Sequence, residues 1–486
     1  MSKPCPDQCN ILLIGGGGRE HAIAWKLAQS PKLGKLYATD CSNGGIASFA
    51  EPCEETWDPA RIFFLNRWCN DHDIDFIVVG PEVPLAEGIV DELSTETRLV
   101  FGPTKDAAKI ESDKSYAKDL MRQANIPTAD ARSFKDAASA RQYILKGLDR
   151  EFTDDRMPEL SREVLDILEH LTNTPRWNFQ TSEELQAILD KRVDPCVVKA
   201  SGLAAGKGVI VCKTVAESLD AIRLIMEDQA FGEAGGTVLI EEFMEGQEIS
   251  VLALVDGRTI WVLDLCQDHK QVGEGDVGAN TGGMGAYSPA PLLDDDGMKF
   301  VERDILVPAV DGMRRDGIEF RGVLYAGIML TPAGPKVLEF NCRFGDPETQ
   351  PLMVRLQGDL VDILWRTASG ELAGAEITFD DKVACCVVMC SEGYPSAYEK
   401  GKAITGIDEA QSLEDVVVFH AGTNLSDGAL TTSGGRVLGV TALKDDLETA
   451  KDAANEACEK IDFDGAFWRH DIGSRVLHNK TAETAS

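Results

Sequence analysis

Four short apolar runs near the N-terminus, at 11–14, 35–38, 75–79 and 99–101, are each followed by glycine, at 15–18, 44–45, 80 and 102. A helix-like stretch at 19–29 separates the first run from the second. Strands that alternate with helices predict a parallel, doubly wound sheet. Ligands of such sheets sit beyond the carboxyl ends of the strands, where these glycines fall. Residues 1–112 are therefore expected to form a doubly wound N-terminal domain that carries half of a substrate site.

With 486 residues the chain is too long for one ordinary core, so several subdomains are expected. Its 43% hydrophobic content is that of a folded protein. No apolar run reaches the ~18 residues of a membrane helix. The N-terminus lacks a charged-then-apolar leader, so a cytoplasmic protein without membrane contact is expected. Thirteen scattered cysteines fit that compartment and describe neither a disulfide framework nor a zinc site. A formal net charge of -33 argues against a nucleic-acid partner. It leaves room for a small anion held by local Arg, Lys and backbone N–H groups.

Pro127 is expected to end a helix and open a second region that runs to about residue 250. Within it, 147–192 reads as a two-helix insertion. Leu160, Val164, Ile167, Leu168 and Leu171 recur at helical spacing, and Thr181 with Glu184 makes a capping box. A surface decoration or an oligomer contact is the expected role. Strands are expected to dominate 251–370, interrupted by the glycine-rich stretch 273–285. Beyond 375, strands at 383–389, 416–419 and 436–441 and a helix at 447–461 predict a small α+β C-terminal domain.

Two phosphate motifs nearly match and fail. Gly15-Gly16-Gly17-Gly18-Arg19-Glu20 has Glu20 where a dinucleotide fingerprint needs glycine, although glycines there can still offer N–H groups to an anion. Gly202-Leu203-Ala204-Ala205-Gly206-Lys207-Gly208 has Ser201 and Gly208 where a P-loop needs Gly and Ser or Thr. Strands on both sides make it a hairpin, which suits a lid carrying Lys207 over ATP phosphates, with Lys199 on the preceding strand. No HExxH or GxSxG pattern occurs.

Residues 337–341 read as a strand whose polar side chains form either a plain exposed face or a magnesium site. Side chains alternate along a strand, so Glu339 and Asn341 point one way and Leu338 and Phe340 point to the core. Magnesium takes oxygen ligands, with one or two carboxylates, waters and substrate phosphates. The turn that follows, Cys342-Arg343-Phe344-Gly345-Asp346-Pro347-Glu348, packs acids and an arginine together. Upstream, a strand at 238–243 leads to Glu245-Gly246-Gln247-Glu248. A strand edge of this kind can read adenine, and a carboxylate can hold ribose hydroxyls. The order Lys199, 241–243, Glu248, then Glu339 and Asn341 resembles the ATP-grasp superfamily.

Six segments carry a closer likeness: Gly17-Gly18-Arg19-Glu20-His21-Ala22, Gly80-Pro81-Glu82, the 202–208 hairpin, Gln267-Asp268-His269-Lys270, Asn280-Thr281-Gly282-Gly283-Met284-Gly285-Ala286-Tyr287-Ser288-Pro289, and 339–351. Together they resemble the phosphoribosylamine–glycine ligase (glycinamide ribonucleotide synthetase) family. The resemblance implies that ATP, glycine and 5-phosphoribosylamine give glycinamide ribonucleotide, ADP and phosphate in de novo purine biosynthesis. It implies an ATP-grasp core between the N- and C-terminal domains, built from 113–132 with 250–375, and a lid domain at 133–249, with 376–486 as the C-terminal domain. It implies Glu339 and Asn341 as ligands of Mg2+ or Mn2+. Lys114, Lys199 and Lys207 are then expected on the ATP phosphates, and Glu241, Phe243 and Glu248 on adenine and ribose. Gly17, Gly18, Asn43, Gly44 and Glu82 are expected around phosphoribosylamine. Asp268, Lys270, Asn280, Thr281, Gly282, Arg343 and Asp346 fall where glycine meets the transferred phosphate, with Arg343, Asp346 and Lys199 as the catalytic set.

The chain departs from the family pattern in three places. Cys41-Ser42-Asn43 replaces Pro-Gly-Asn, Ser201 replaces an acid before the lid glycines, and the 147–192 insertion is atypical. A monofunctional chain, a monomer or weak homo-oligomer, is expected. Phosphorylation turns an inert carboxylate into an acyl phosphate that a neutral amine can attack, so the work is positioning and charge neutralisation. Two other readings remain open from the residues alone: an ATP-grasp enzyme acting on another ribonucleotide, and a nucleotide-binding protein without turnover.

Overall fold

The computed structural model describes residues 4–152, 189–190, 193–204 and 208–477. Most of the 147–192 insertion, and residues 205–207 with Lys207, lie outside the described residues. The chain divides into two compact units. One comprises Met1–Lys109, Ala124–Ile126 and Gln247–Ser486, and the other Ile110–Gln123 and Pro127–Gly246.

In the first unit, β1 (Cys9–Ile14), β2 (Leu33–Ala38), β3 (Glu51–Pro52), β4 (Phe76–Val79) and β5 (Leu99–Phe101) form one sheet in the order β3-β2-β1-β4-β5. Every pair in it is parallel. β1 and β4 are apolar along nearly their whole length because helices cover both faces of such a sheet. Strand order reverses between β1 and β4, so the glycine loops that follow them open on the switch point where ligands bind. This is the expected doubly wound domain.

The second unit is a smaller antiparallel sheet of β6 (Ala131–Phe134), β7 (Val193–Ala200), β8 (Val209–Thr214) and β9 (Val238–Glu242), in the order β6-β9-β7-β8. β7 and β8 are the two arms of the expected hairpin, with Lys199 opposite Val209. Val198, Ala200, Cys212, Ile222, Val238 and Ile240 form its core. The segment 113–132, grouped by its sequence with 250–375, packs in this unit apart from 124–126.

The rest of the first unit begins with β10 (Gln247–Asp256), β11 (Ile260–Val262), β12 (Gln267–Asp268), β13 (Gln271–Gly273), β14 (Val277–Asn280) and β15 (Gly285–Ser288). It continues with β16 (Arg321–Thr331), β17 (Gly334–Asn341), β18 (Val383–Ser391), β19 (Val416–His420), β20 (Thr423–Ser426), β21 (Ala429–Thr432) and β22 (Arg436–Lys444). One sheet runs β11-β10-β16-β17. A second runs β12-β15-β18-β22-β19 and so joins strands of the glycine-rich region to the C-terminal domain. Strands do not dominate 251–370 as expected. Helices Asp295–Val301, Val307–Arg315, Thr349–Arg355 and Leu360–Ser369 occupy much of it. Asp359 caps the last of these by accepting from the N–H groups of Val361 and Asp362, a start signal that reading the run as strand had overlooked.

The β16–β17 ladder contains a further correction. Ile328 pairs with Val337 and Gly327 with Glu339, so Leu338 is an extra residue in β17. This bulge turns the alternation over. Val337 and Phe340 are buried, while Leu338, expected in the core, is only half-buried. Glu339 and Asn341 lie beyond the bulge and keep their shared face.

One apolar cluster unites the first unit, from Leu13 and Phe76 through Leu252 and Trp365 to Phe419. The Trp365 ring packs against Phe76 with centroids 5.4 Å apart. All thirteen cysteines are unbridged, as expected. Among the described residues no helix is long and apolar enough to cross a membrane. Trp365 is 1% exposed at the junction of helix and sheet. Trp365→Ala is expected to cost ~3–5 kcal/mol, read as a lowered midpoint of the first unit's transition in chemical denaturation.

Candidate active site

At the end of β1, Gly15 takes a φ of 111°, a region that favours glycine. A Cβ at Gly15 would stand 2.8 Å from Glu20 Cγ, and one at Gly80 would stand 2.0 Å from Glu20 Oε1. The glycines after β1 and β4 therefore make room for one buried carboxylate. Glu20 accepts from the Gly17 N–H at 2.7 Å and from Arg19 Nε at 2.6 Å. The protein's own acid thus takes an N–H, at Gly17, that the sequence offered to an anion. Asp346 faces the same loop, its oxygens 3.8 Å and 3.6 Å from the Cβ positions of Gly17 and Gly18.

Asn43 and Gly44 lie where the N-terminal loop meets the C-terminal domain. Asn43 is buried, and its Nδ2 donates to the carbonyls of Gly16 at 2.9 Å and His420 at 2.8 Å. Its Oδ1 accepts from the N–H groups of Gly45 and Ile46. Its amide ties the N-terminal loop to the C-terminal domain. A Cβ at Gly44 would stand 2.9 Å from Leu430 Cδ1, so that glycine permits the same approach.

Arginines and carboxylates alternate around the turn after β17. Arg343 Nη2 donates to Asn341 Oδ1 at 3.1 Å, and its Nε lies 3.6 Å from Glu82 Oε2. Arg19 and Arg343 both donate to the Phe344 carbonyl, at 3.1 Å and 3.3 Å. Burial opposes ionisation of Glu82, but Arg343 and Arg19 outweigh it and hold the acid below the usual carboxylate range. Burial likewise opposes ionisation of Asp346, and Arg436, Arg19, Gln350 and Arg343 together hold it low.

A second cluster lies on β10, β12 and β16. Lys270 Nζ pairs with Glu248 Oε1 at 2.5 Å. Burial disfavours the ammonium, and Glu248, helped by Asp268 and Glu339, keeps it charged to well above the usual lysine range. Asp268 is the opposite case. It is buried, its Oδ1 has no hydrogen-bond partner, and burial followed by repulsion from Glu348 pushes its acid well above the usual range. Glu348 accepts from Ser250 Oγ at 2.9 Å and Tyr325 OH at 2.7 Å. The Cβ position of Gly327 lies 3.8 Å from Glu339 Cγ and 3.9 Å from Glu248 Oε1. The two acids therefore flank one glycine on the sheet.

This donor set fits a hard cation that completes its shell elsewhere. Glu339 and Asn341 offer a carboxylate and an amide oxygen on one face, with Glu248 beside them. Among the described residues no group of three or more His, Cys, Asp or Glu could hold a metal by itself. Magnesium on nucleotide phosphates does not need such a cage.

The second unit holds the lysines. Lys199 and Lys118 approach the same oxygen of Glu241, at 2.9 Å and 3.3 Å, and all three are buried. Glu241 therefore serves as their shared counter-ion. Lys114 opens helix Lys114–Gln123, with its Nζ 3.3 Å from the Gly202 carbonyl. Ser201 stands where an acid was expected, and its Oγ donates to Asp113 Oδ1 at 3.2 Å, which places a carboxylate beside it. Phe243 is exposed just after β9.

Around the glycine-rich turn, Thr281 Oγ1 donates to the Lys270 carbonyl at 2.8 Å, and Gly282 N–H donates to Tyr394 OH at 3.0 Å. Asn280 is exposed at the end of β14. Arg436 was missed by the sequence. It donates to the carbonyls of Gly282 at 2.7 Å and Asp346 at 2.8 Å. Arg19, inside a quoted motif but given no role, and Tyr394 were missed too. No local pattern marks the reach of Arg19 to Phe344 or of Arg436 and Tyr394 to Gly282, because those partners are distant in the chain.

Three family models for phosphoribosylglycinamide synthetase match the chain: the N domain over 9–111, the ATP-grasp (A) domain over 162–349 and the C domain over 384–475. A phosphoribosylamine–glycine ligase of Rhodopirellula baltica is 45% identical over 96% of this chain and 98% of that protein. The trifunctional purine biosynthetic protein adenosine-3 of Gallus gallus is 44% identical over 96% of this chain and 42% of its own length. The crystal structure of phosphoribosylamine–glycine ligase from Thermotoga maritima aligns with a TM-score of 0.71 and 28% identity, covering 96% of this chain and all of that one. A biotin carboxylase from Campylobacter jejuni, at TM-score 0.65 and 14% identity over 94% of this chain and 92% of that one, shares the fold. The core is thus an ATP-grasp fold.

The buried histidines give a pH prediction. Burial lowers His21 to about 3, with His420 adding to the effect, and lowers His420 itself to about 4. Both stay neutral when folded and protonate near 6.5 when unfolded, so the unfolded state binds more protons as the pH falls. Their contribution is complete above about pH 6.5 and is lost progressively toward about 3. Thermal midpoints are expected to drop between pH 7 and pH 4.5, with proton uptake on unfolding near pH 5. Calorimetry in buffers of different ionisation enthalpy measures that uptake, and His420→Gln should reduce it.

Proposed function

As a member of the phosphoribosylglycinamide synthetase family, the chain is an ATP-dependent ligase that joins glycine to phosphoribosylamine in purine biosynthesis, and we propose the following roles for its residues. The reaction uses ATP and a divalent metal ion. The proposed ion is magnesium, or manganese in its place, held by Glu339 and Asn341, and when bound it neutralises charge on the ATP phosphates. The observation that supports this most is the common face of Glu339 and Asn341 beyond the β17 bulge, with Glu248 beside Glu339 across Gly327.

Lys114, Lys199 and Lys207 hold the ATP phosphates. Glu241, through the lysines it pairs with, fixes where one of those charges stands. Phe243 and Glu248 contact adenine and ribose. Asp268 and Lys270, with Asn280, Thr281 and Gly282, receive glycine. The glycine carboxylate attacks the γ-phosphorus, ADP leaves, and glycyl phosphate forms. The neutral amine of phosphoribosylamine then attacks the acyl carbon, and phosphate departs. Arg343 carries positive charge to the developing oxyanion and leaving phosphate. Asp346, held ionised by its arginines, orients the attacking amine by accepting a hydrogen bond from it, and the amine's proton leaves with the departing phosphate. Glu82 and the loop at Gly17 and Gly18 hold the phosphoribosylamine ring hydroxyls. Asn43 and Gly44 act on that substrate through the shape of the loop.

In role, 1–112 is the amine-substrate domain, 113–132 with 250–375 the catalytic core, 133–249 the lid and 376–486 the C-terminal domain. The enzyme works in the cytoplasm as a monomer or weak homo-oligomer. Glu339→Gln is expected to lower ADP release by at least ~100-fold, with an unchanged far-UV circular dichroism spectrum. Full activity in that variant would refute the metal assignment. Glu82→Ala is expected to raise the KM for phosphoribosylamine while leaving that for ATP in place. Equal losses for both substrates would place Glu82 outside the amine site.

A further inference from the structure

The Gly282–Gly283 turn and the Asp346 turn are distant in the chain, and one side chain joins them. Arg436 opens β22 opposite Cys390, at an irregularity in the β18–β22 ladder. Its Nη1 donates to the carbonyls of Gly282 at 2.7 Å and Asp346 at 2.8 Å, and lies 3.5 Å from that of Gly283. Its Nη2 lies 3.3 Å from Asp346 Oδ2. A Cβ on Gly282 would come within 3.0 Å of the Arg436 Cζ, so the guanidinium needs a bare backbone there. Gly283 sits at φ 115°, and a Cβ on it would stand 2.8 Å from Asp268 Oδ1. The turn is therefore pressed between Arg436 on one side and Asp268 on the other. A planar fork with several donors spans two carbonyls and a carboxylate at once, which an ammonium does not.

We propose that Arg436 is a positioning and specificity-determining residue, which clamps the Gly282–Gly283 turn against Asp346 and so sets the size of the amino-acid subsite. This rests on reading Asp268, Gly282 and Asp346 as the surroundings of glycine. A subsite closed to one extra carbon discriminates glycine from alanine. Such a one-carbon exclusion is worth about tenfold or more in kcat/KM.

The test compares Arg436→Gln, Arg436→Lys and Asp346→Asn with the unaltered chain by ADP release, varying glycine, alanine, ATP and phosphoribosylamine in turn. Arg436→Gln is expected to raise the KM for glycine about tenfold and to collapse the glycine-over-alanine ratio, with the KM for ATP kept. Arg436→Lys, which keeps charge without the fork, should fall between, and it serves alone if the Gln variant does not fold. The proposal is overturned if the glycine-over-alanine ratio is unchanged. It is also overturned if kcat/KM falls alike for all substrates, the sign of a merely structural clasp. Asp346→Asn tests the underlying reading separately. If it leaves catalysis with glycine intact while the Arg436 variants shift the ratio, the role of Asp346 is wrong and the clamp stands.

Discussion

A carboxylate taken out of water must be met by positive charge, and Asp346 is met by three arginines from three parts of the chain. Arg19 comes from the first helix, Arg343 from the turn after β17, and Arg436 from the C-terminal sheet. Removing any one leaves the buried acid undercompensated, so the need to pair it fixes the N-terminal loop, the turn after β17 and the C-terminal domain together. Arg343 and Arg19 also hold Glu82, and both donate to the Phe344 carbonyl. The charges proposed to meet substrate and the charges that hold the fold are largely the same atoms. That is economical in a protein whose formal net charge is -33.

Two carboxylates close in sequence to lysine and arginine show how surroundings divide roles. Asp268 has an oxygen without a partner and is pushed toward its neutral form, while Asp346 is bonded and held ionised. Lys270 is kept charged by Glu248 despite its burial. A site that handles an ammonium, a carboxylate and a phosphate needs groups that differ in this way, and environment rather than residue type supplies the difference.

Much of the architecture could be read in the residues. The runs at 11–14, 75–79 and 99–101 were legible because a parallel strand covered on both faces must be apolar throughout. The pairing of β7 with β8 was legible because two β-rich runs flank a glycine cluster. The shared face of Glu339 and Asn341 was legible from alternation, but the bulge at Leu338 was not, since an extra residue leaves no mark on a single strand read without its partner. Asn43 is assigned to the amine substrate by the family resemblance alone, and its three carbonyl partners and two N–H donors are visible only once the chain is folded. Arg436 and Tyr394 were silent for the same reason. Their partners lie far off in the chain, and no local spacing encodes that.

β15 is part of the glycine-rich segment, yet it is hydrogen-bonded to β18, a strand of the C-terminal domain. Chains fold as they leave the ribosome, N-terminal regions first. The doubly wound sheet can close early, since all five of its strands are made within the first stretch of synthesis. The sheet that carries β12 and β15 cannot, because β18 and β22 are translated long after them. During that interval β15 has β12 beside it but not β18, and every nascent chain passes through a state in which the β11-β10-β16-β17 sheet can form while the Gly282–Gly283 turn still lacks Arg436.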